Sequence, residues 1–523
     1  MKIALAEEMR RLDQSVIADY GIPGLVLMEN AGRGTVDAMS KHFGNLSGLN
    51  VVVVVGPGNN GGDGLVIARH LLQRGSLPLV FLLIAPHTIA GDAAANLEMA
   101  NRFQIPLVVA DDLNKIQALQ SALPGCHLVV DAIFGTGLKR AVSGHYAAAV
   151  GLINSAPCPV VSVDIPSGID SDNGQCLGIC VRSVLTATYG LAKPGHFLGR
   201  GPENTGTLEV IDISLPDRAV LAAKLTTELL TAASVAPWLP LRPRQAHKGT
   251  FGHLMILAGS RGKIGAAILS CRGALRTGAG LVSLAAPTAL ADLVVSSLPE
   301  VMTIPLPNSP ASQAEDTDLA TIMEAMTGKT ALLIGPGLGQ APATGRLIAE
   351  LYRRVALPMV VDADALNLLV ALGVDLKVTA GPRILTPHPG EMARLTGLAT
   401  TDIQSTRLKI AGDFATANQV YLVLKGHGTV VAAPDGCLAI NSSGNQLLAA
   451  GGSGDVLAGL IGSLLAQGLP PLQAAGLGVF SHGLAADRLR STRNLTLGIL
   501  ASELADELPG VFSQLSNQQI TPS

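Results

Sequence analysis

Val51-Val-Val-Val-Val55 runs straight into Gly56-Pro-Gly-Asn-Asn-Gly-Gly-Asp-Gly64. An apolar β-branched run that ends in a glycine-rich turn reads as a strand feeding a β/α unit, because glycines accept φ > 0 and leave backbone N–H groups open to a ligand. Outward from this stretch the alternation repeats. Apolar strands are expected at 78–84, 106–109, 127–130, 159–163 and 207–211, with helical segments between them. Two further helices, 6–18 and 25–42, precede the first strand and either cover it or form a subunit contact in a homo-oligomer. A second series of strands follows at 253–257, 281–285, 331–334, 358–361, 383–385 and 421–424. Between the series, 214–243 is punctuated by Pro237, Pro240 and Pro243 around the only tryptophan, Trp238, and reads as a connector. No motif register repeats between the halves, so the chain reads as a fusion of two unrelated α/β domains rather than a duplication. The expected boundaries are 1–215, a connector at 216–243, 244–510 and a tail at 511–523.

Composition agrees with parallel α/β architecture and excludes several functions. The chain has 523 residues, enough for two or three domains, is 48% apolar and only 14% charged, and holds 59 glycines. A net charge of −3, with no basic run interleaved with aromatics, argues against a nucleic-acid partner. Lys2, Glu7, Glu8, Arg10 and Arg11 interrupt any secretory core at the start, and the apolar run 77–85 is too short to span a bilayer. The six cysteines show no paired CxxC and no zinc set around Cys176 and Cys180, so reduced thiols and a cytosolic setting are expected.

Three candidate groups in the first half fall at strand ends: Asn59 to Asp63, Asp131 and Asp164. Open α/β sheets bind ligands at the carboxyl ends of their strands, so these are expected to converge. Gly135-Thr136-Gly137-Leu138-Lys139-Arg140 follows Asp131 and offers amides and two cations for a phosphate. Taken singly, each glycine turn is as readily a connection and each Asp a helix cap.

The second half carries Gly451-Gly-Ser-Gly454-Asp455-Val-Leu-Ala-Gly459 ahead of an apolar helix, with Lys425-Gly426-His427-Gly428-Thr429 upstream. Glycine-freed amides at a helix start favour a phosphate, and Asp455 puts a proton acceptor beside it. Asp362 and Asp364 follow another strand, and each is either a cap or a ligand contact. His388, followed by Glu391 and flanked by prolines, is either a site residue or a loop hydrogen-bonding group. His247 and Lys248 beside Gly249 are weak candidates for facing a nucleotide.

Through GPGNNGGDG, DAIFGTGLKR and DIPSGID, residues 1–215 resemble the NAD(P)H-hydrate epimerase family, the N-terminal half of YjeF-type proteins. The resemblance implies a Rossmann-like α/β/α domain in which Asn59, Asn60, Gly61, Gly62, Asp63 and Gly135 to Ala141 line a hydrated dinucleotide site. It implies that Asp164 contacts substrate as acid or base, and that Asn60, Asp131 and Ser167 hold a potassium ion. Residues 235–510 resemble the ADP-dependent NAD(P)H-hydrate dehydratase branch of the ribokinase-like superfamily. Ala449-Ala450 stands where its sugar and vitamin kinases carry Asp-Thr, and His388 replaces an Asn, which argues against kinase action. That resemblance implies substrate contacts from Ala266, Gly337 and His388, adenine-nucleotide contacts from Lys425 to Thr429 and Gly454, catalysis by Asp455, and magnesium oriented by Glu391 through water.

The expected function is metabolite repair. One domain interconverts (R)- and (S)-NADHX or NADPHX, and the other dehydrates the S form at the expense of ADP, releasing NAD(P)H, AMP and phosphate. The alternative is a ribokinase-like vitamin kinase fused to a nucleotide-binding or scaffold domain.

Overall fold

A computed structural model describes residues 1–307 and 313–520. The chain divides into two compact units, Lys2–Leu225 and Thr226–Ser523, the latter joined by Met1.

In the first unit seven parallel strands, β1 (Asn50–Val55), β2 (Leu77–Leu82), β3 (Leu107–Val109), β4 (Leu128–Ala132), β5 (Val160–Val163), β6 (Leu185–Tyr189) and β7 (Thr207–Ile211), lie in the order β3-β2-β1-β4-β5-β6-β7. Successive strand residues point to opposite faces, and both faces are covered. Val51, Val53 and Val55 pack into one core, and Val52 and Val54 into the other. The N-terminal helices Ala6–Tyr20 and Gly24–Phe43 cover the first of these faces, burying Met9, Leu12, Val16, Leu27 and Met39. Strand β6 is missing from the sequence series. Its Thr186 and Thr188 break the apolar run, yet every residue of the strand is buried and Thr186 Oγ1 donates to Thr205 O at 2.7 Å.

The second unit holds ten strands: β8 (Thr227–Leu230), β9 (His253–Leu257), β10 (Leu281–Pro287), β11 (Met302–Leu306), β12 (Ala331–Ile334), β13 (Met359–Val361), β14 (Arg383–Leu385), β15 (Tyr421–Leu424), β16 (Val430–Ala432) and β17 (Leu438–Asn441). Their order is β11-β10-β9-β12-β13-β14-β15-β16-β17-β8, with β16 antiparallel to both of its neighbours. The expected connector at 216–243 is therefore corrected. Its helix Asp217–Ala222 buries Ala219 in the first unit's core, β8 pairs with β17, and Trp238 packs beside Gly476 in the second unit. The expected tail at 511 is corrected as well. Helix Ala501–Ile520 continues through it because Leu504, Leu508, Val511 and Leu515 keep a helical spacing into the core, while 521–523 lie outside the described residues.

Helices Ile264–Thr277 and Ser453–Ala466 cross backbone to backbone. A Cβ on Gly459 would stand 2.0 Å from Ser270 O, and one on Gly273 2.5 Å from Val456 O. Gly459→Ala gains up to about 1 kcal/mol of helix propensity. Because the clash is with backbone, overpacking of about 1–3 kcal/mol outweighs it. Urea unfolding followed by Trp238 fluorescence should show a lower midpoint; an unchanged midpoint would mean the helices separate without cost.

Candidate active sites

The first unit's strand order reverses between β1 and β4, and a cavity of about 960 Å³ opens at the carboxyl ends there. Asn59, Asn60 and Asp63 reach it from the turn after β1, Gly135 to Arg140 from the loop after β4, and Asp164 from the end of β5. Asp164 sits at φ +65°, a strained conformation for a residue with a Cβ. Its Oδ1 accepts from Lys193 Nζ at 2.5 Å and from Thr188 Oγ1 at 3.2 Å, and its main-chain oxygen accepts from His196 Nε2 at 3.0 Å. Burial alone would raise the Asp164 pKa, but the Lys193 ammonium and these hydrogen bonds outweigh it and hold the carboxyl below its ordinary value. A Cβ on Gly135 would lie 2.9 Å from Asn60 Oδ1 and 3.2 Å from Asp164 Oδ2, so only glycine lets these groups converge.

Around Lys193 stand two more carboxyls. Asp63 is raised well above the usual range by burial and then by Asp164 and Asp13. Burial pushes Asp13 up to about 6, opposed by Lys193 and assisted by Asp164. Asp131 lies behind the cavity wall, fully buried. It accepts from Ser167 Oγ (2.6 Å), Ser162 Oγ (2.8 Å) and Ser167 N (2.9 Å). Burial raises its pKa, and those hydrogen bonds work against the rise.

In the second unit the order reverses between β9 and β12, and a cavity of about 420 Å³ lies there, walled by Ala266, Gly337, Asp364, Glu391 and Asp455 among others. Gly337 is at φ +63°, and a Cβ on it would meet Lys263 O at 2.7 Å. Lys425, at the end of β15, donates to Asp362 Oδ1 at 2.8 Å and lies 4.0 Å from Glu391 Oε2. Burial lowers the Lys425 pKa, but Asp362, Glu391 and Asp455 together lift it above its ordinary value. Its Nζ is 3.4 Å from where a Cβ of Gly454 would be, at the amino end of helix Ser453–Ala466. A cation and a row of helix amides thus face one point. Asp455, in the first turn of that helix, is pushed up to about 6, first by burial and then by Asp362, with Lys425 opposing.

Two family models match the chain: the YjeF-related protein N-terminus over residues 24–195 and NAD(P)H-hydrate dehydratase over residues 254–510. The bifunctional NAD(P)H-hydrate repair enzyme of Moorella thermoacetica is 43% identical over 99% of this chain and 98% of its own length. The chain belongs to the bifunctional NAD(P)H-hydrate repair enzyme family. The Escherichia coli member is 33% identical over 97% of this chain and 93% of its own length. Among solved structures, the ADP/ATP-dependent NAD(P)H-hydrate dehydratase of Bacillus subtilis, co-crystallized with ATP and Mg2+, is 34% identical. It covers 55% of this chain and 98% of its own, with a TM-score of 0.47.

For this repair-enzyme chain the geometry sorts the expected site residues. Gly61 and Gly62 lie beneath the first cavity rather than on its wall; a Cβ on Gly61 would meet Gly56 O at 2.2 Å, and one on Gly62 would meet Met28 Sδ at 2.7 Å. Ala141 is exposed and stands beside Gly178, off the wall. Lys139 and Arg140 both line the cavity, and Lys139 is engaged there by Asp172 at 3.1 Å. His388 is a helix cap: its Nδ1 accepts from Gly390 N (3.0 Å) and Glu391 N (3.3 Å), while Glu391 Oε2 accepts from His388 N at 2.8 Å. This fixes the imidazole and leaves Nε2 on the half-exposed side, 3.5 Å from Glu391 Oε1. Asp362 binds Lys425 and Thr386 Oγ1, and Asp364 accepts from Gly339 N (2.9 Å) and Lys263 Nζ (3.1 Å), so neither is merely a cap. His427, Gly428 and Thr429 form the β15–β16 hairpin loop, in which Thr429 Oγ1 donates to Gly426 O at 2.9 Å. His247 caps the turn Lys248–Phe251, and neither it nor Lys248 lines the second cavity.

Three residues of these sites went unread in the sequence. Lys193 follows the missed strand β6; a lysine in Lys193-Pro-Gly after an apolar run was the available signal. Asp13 follows Met9 by four residues on a helix whose Met9, Leu12 and Val16 are buried, placing a carboxyl on an apolar face. Arg407 is buried and donates to Leu424 O (2.8 Å) and Lys425 O (3.1 Å), holding the loop that presents Lys425.

Proposed function

We propose that Lys2–Leu225 epimerises NADHX and NADPHX and that Thr226–Ser523 dehydrates the S epimer with ADP as co-substrate. The observation that carries the reading is Asp455, poised as a base beside a lysine clamped by two carboxylates at a helix amino end. Asp455 takes the proton of the ring hydroxyl as its oxygen attacks the terminal phosphoryl of ADP, releasing AMP. The ring nitrogen's lone pair then expels phosphate, and loss of a neighbouring carbon-bound proton restores the dihydropyridine of NAD(P)H. Lys425 and the Gly454 turn hold the phosphates and neutralise charge that develops in transfer. Glu391, through water, and Asp362 would supply the oxygen donors for a magnesium ion, which would neutralise charge on the transferring phosphoryl group.

Ala266 and Gly337 wall the second cavity and receive its dinucleotide. In the first unit Asn60, Asp63 and the Gly135 loop do so. Asp164, kept ionised by Lys193, acts on water at the epimerising carbon. Asn60, Asp131 and Ser167 offer hard oxygens and one formal negative charge, a donor set that fits a potassium ion. Exposed Ile17, Tyr20, Leu25 and Val26 on the N-terminal helices support a homo-oligomer. No helix among the described residues is long and apolar enough to cross a membrane, and a cytoplasmic setting belongs to the same reading.

The test is recovery of reduced-nicotinamide absorbance from mixed R and S NADHX with magnesium, potassium and ADP, ATP or no nucleotide. Full ADP-dependent recovery is expected. A halt at the S fraction would remove the epimerase, and no recovery with any nucleotide would remove the repair reading.

A further inference from the structure

Asp164 is committed to Lys193 and Thr188, yet swapping the face of a hydroxyl takes two proton transfers: one to the departing oxygen and one from the arriving water. The same cavity holds a second carboxyl, one that accepts no hydrogen bond from the described residues. Asp13, on helix Ala6–Tyr20, lines the cavity, and its buried Oδ1 has no hydrogen-bond partner. It belongs to a group of three carboxyls, Asp13, Asp63 and Asp164, that share the ammonium of Lys193. The cavity also contains Asn60, more than nine-tenths buried with Nδ2 unpartnered, a second polar group left for a ligand. Three carboxyls that share the buried Lys193 ammonium are not all kept ionised in a low-dielectric site, so at least one keeps its proton.

We infer that Asp13 is the catalytic acid that pairs with Asp164 in epimerisation, an assignment that rests on the epimerase reading of this cavity. In the R-to-S direction the Asp13 carboxyl gives its proton to the substrate hydroxyl. The C–O bond breaks as the ring nitrogen's lone pair forms the C=N+ bond, and water departs. A water then adds to the other face, its oxygen forming the new C–O bond while Asp164 takes its proton and the C=N electrons return to nitrogen. The enzyme is left with the proton moved from Asp13 to Asp164, the state from which the S-to-R direction runs. Asp13 brings an unpartnered oxygen to the cavity, and a carboxyl pushed up to about 6 suits giving and retaking a proton near neutral pH, while burial raises Asp63 well above the usual range. The charged and titratable groups bearing on Asp13 are Lys193, Asp164 and Asp63.

The experiment uses the full chain and (R)-NADHX, with epimer interconversion read by chromatography at neutral pH and subtracted for the uncatalysed rate. Asp13→Asn should lower kcat about 10²-fold or more with KM within threefold. Asp13→Glu should recover part of the loss, and ADP-dependent dehydration of (S)-NADHX should stay unchanged in both, reporting that the chain is folded. An Asp13→Asn kcat within threefold of the wild type would overturn the proposal, as would a loss confined to KM. A large kcat loss in Asp63→Asn without one in Asp13→Asn would transfer the role to Asp63. Absence of interconversion by the wild type would instead remove the epimerase reading itself.

Discussion

Asp455→Asn abolishes ADP-dependent dehydration and leaves epimerisation intact. The amide keeps the size of the side chain but cannot take the hydroxyl proton, so kcat should fall by about 10²–10⁴-fold. Epimer interconversion, carried by the other unit, provides the control in the same sample. The wild-type pH profile checks the same assignment. Asp455, pushed up to about 6, must be ionised to act as base. The kcat/KM for (S)-NADHX at saturating ADP should therefore rise about tenfold per pH unit below about 6 and level off above it. Dehydration by Asp455→Asn within threefold of the wild type would remove Asp455 as the base, and a profile that falls as pH rises through 6 would make it an acid instead.

Lys193→Met should eliminate epimerisation while sparing the dehydratase. Lys193 is 1% exposed and donates to Asp164 Oδ1, Thr188 Oγ1 and Tyr189 O. Removing one partner of such a buried pair costs about 3–5 kcal/mol, because the other charge stays without compensation. Asp164 would regain a proton and cease to accept one, so an epimerase loss of about 10²-fold or more is expected. In the wild type the pair stabilises the first unit fully above the ordinary carboxylate value of 3.8, and this contribution is lost as pH falls through the lower folded value. Lys193→Met should lose that acid limb. Trp238 lies in the second unit, so its unfolding midpoint and the dehydratase rate should both be unchanged; epimerisation near the wild-type rate would show that Lys193 is not what keeps Asp164 ionised.

Helix and strand type, the two-domain organisation and the glycine-rich turns were legible in the sequence because each is written locally. Val51–Val55 is uniformly apolar, and glycines mark the turns that follow β1 and β4 and the start of helix Ser453–Ala466. The strand-end rule pointed to Asn60 and Asp164, and the glycine turn ahead of an apolar helix pointed to Asp455; all three line cavities in the structure. Strand β8 was hidden because its partner, β17, lies some two hundred residues away, and β6 because its threonines are satisfied only by tertiary hydrogen bonds. Tertiary structure alone decided which charges meet. Lys193 and Asp13 carry no motif, yet the fold brings both to Asp164, and His388 became a cap because helix Pro389–Thr396 starts where its Nδ1 can accept. Residue type and local spacing specify which groups are available and where strands end; ionisation and role depend on neighbours distant in sequence, and those neighbours exist only once the sheet has formed.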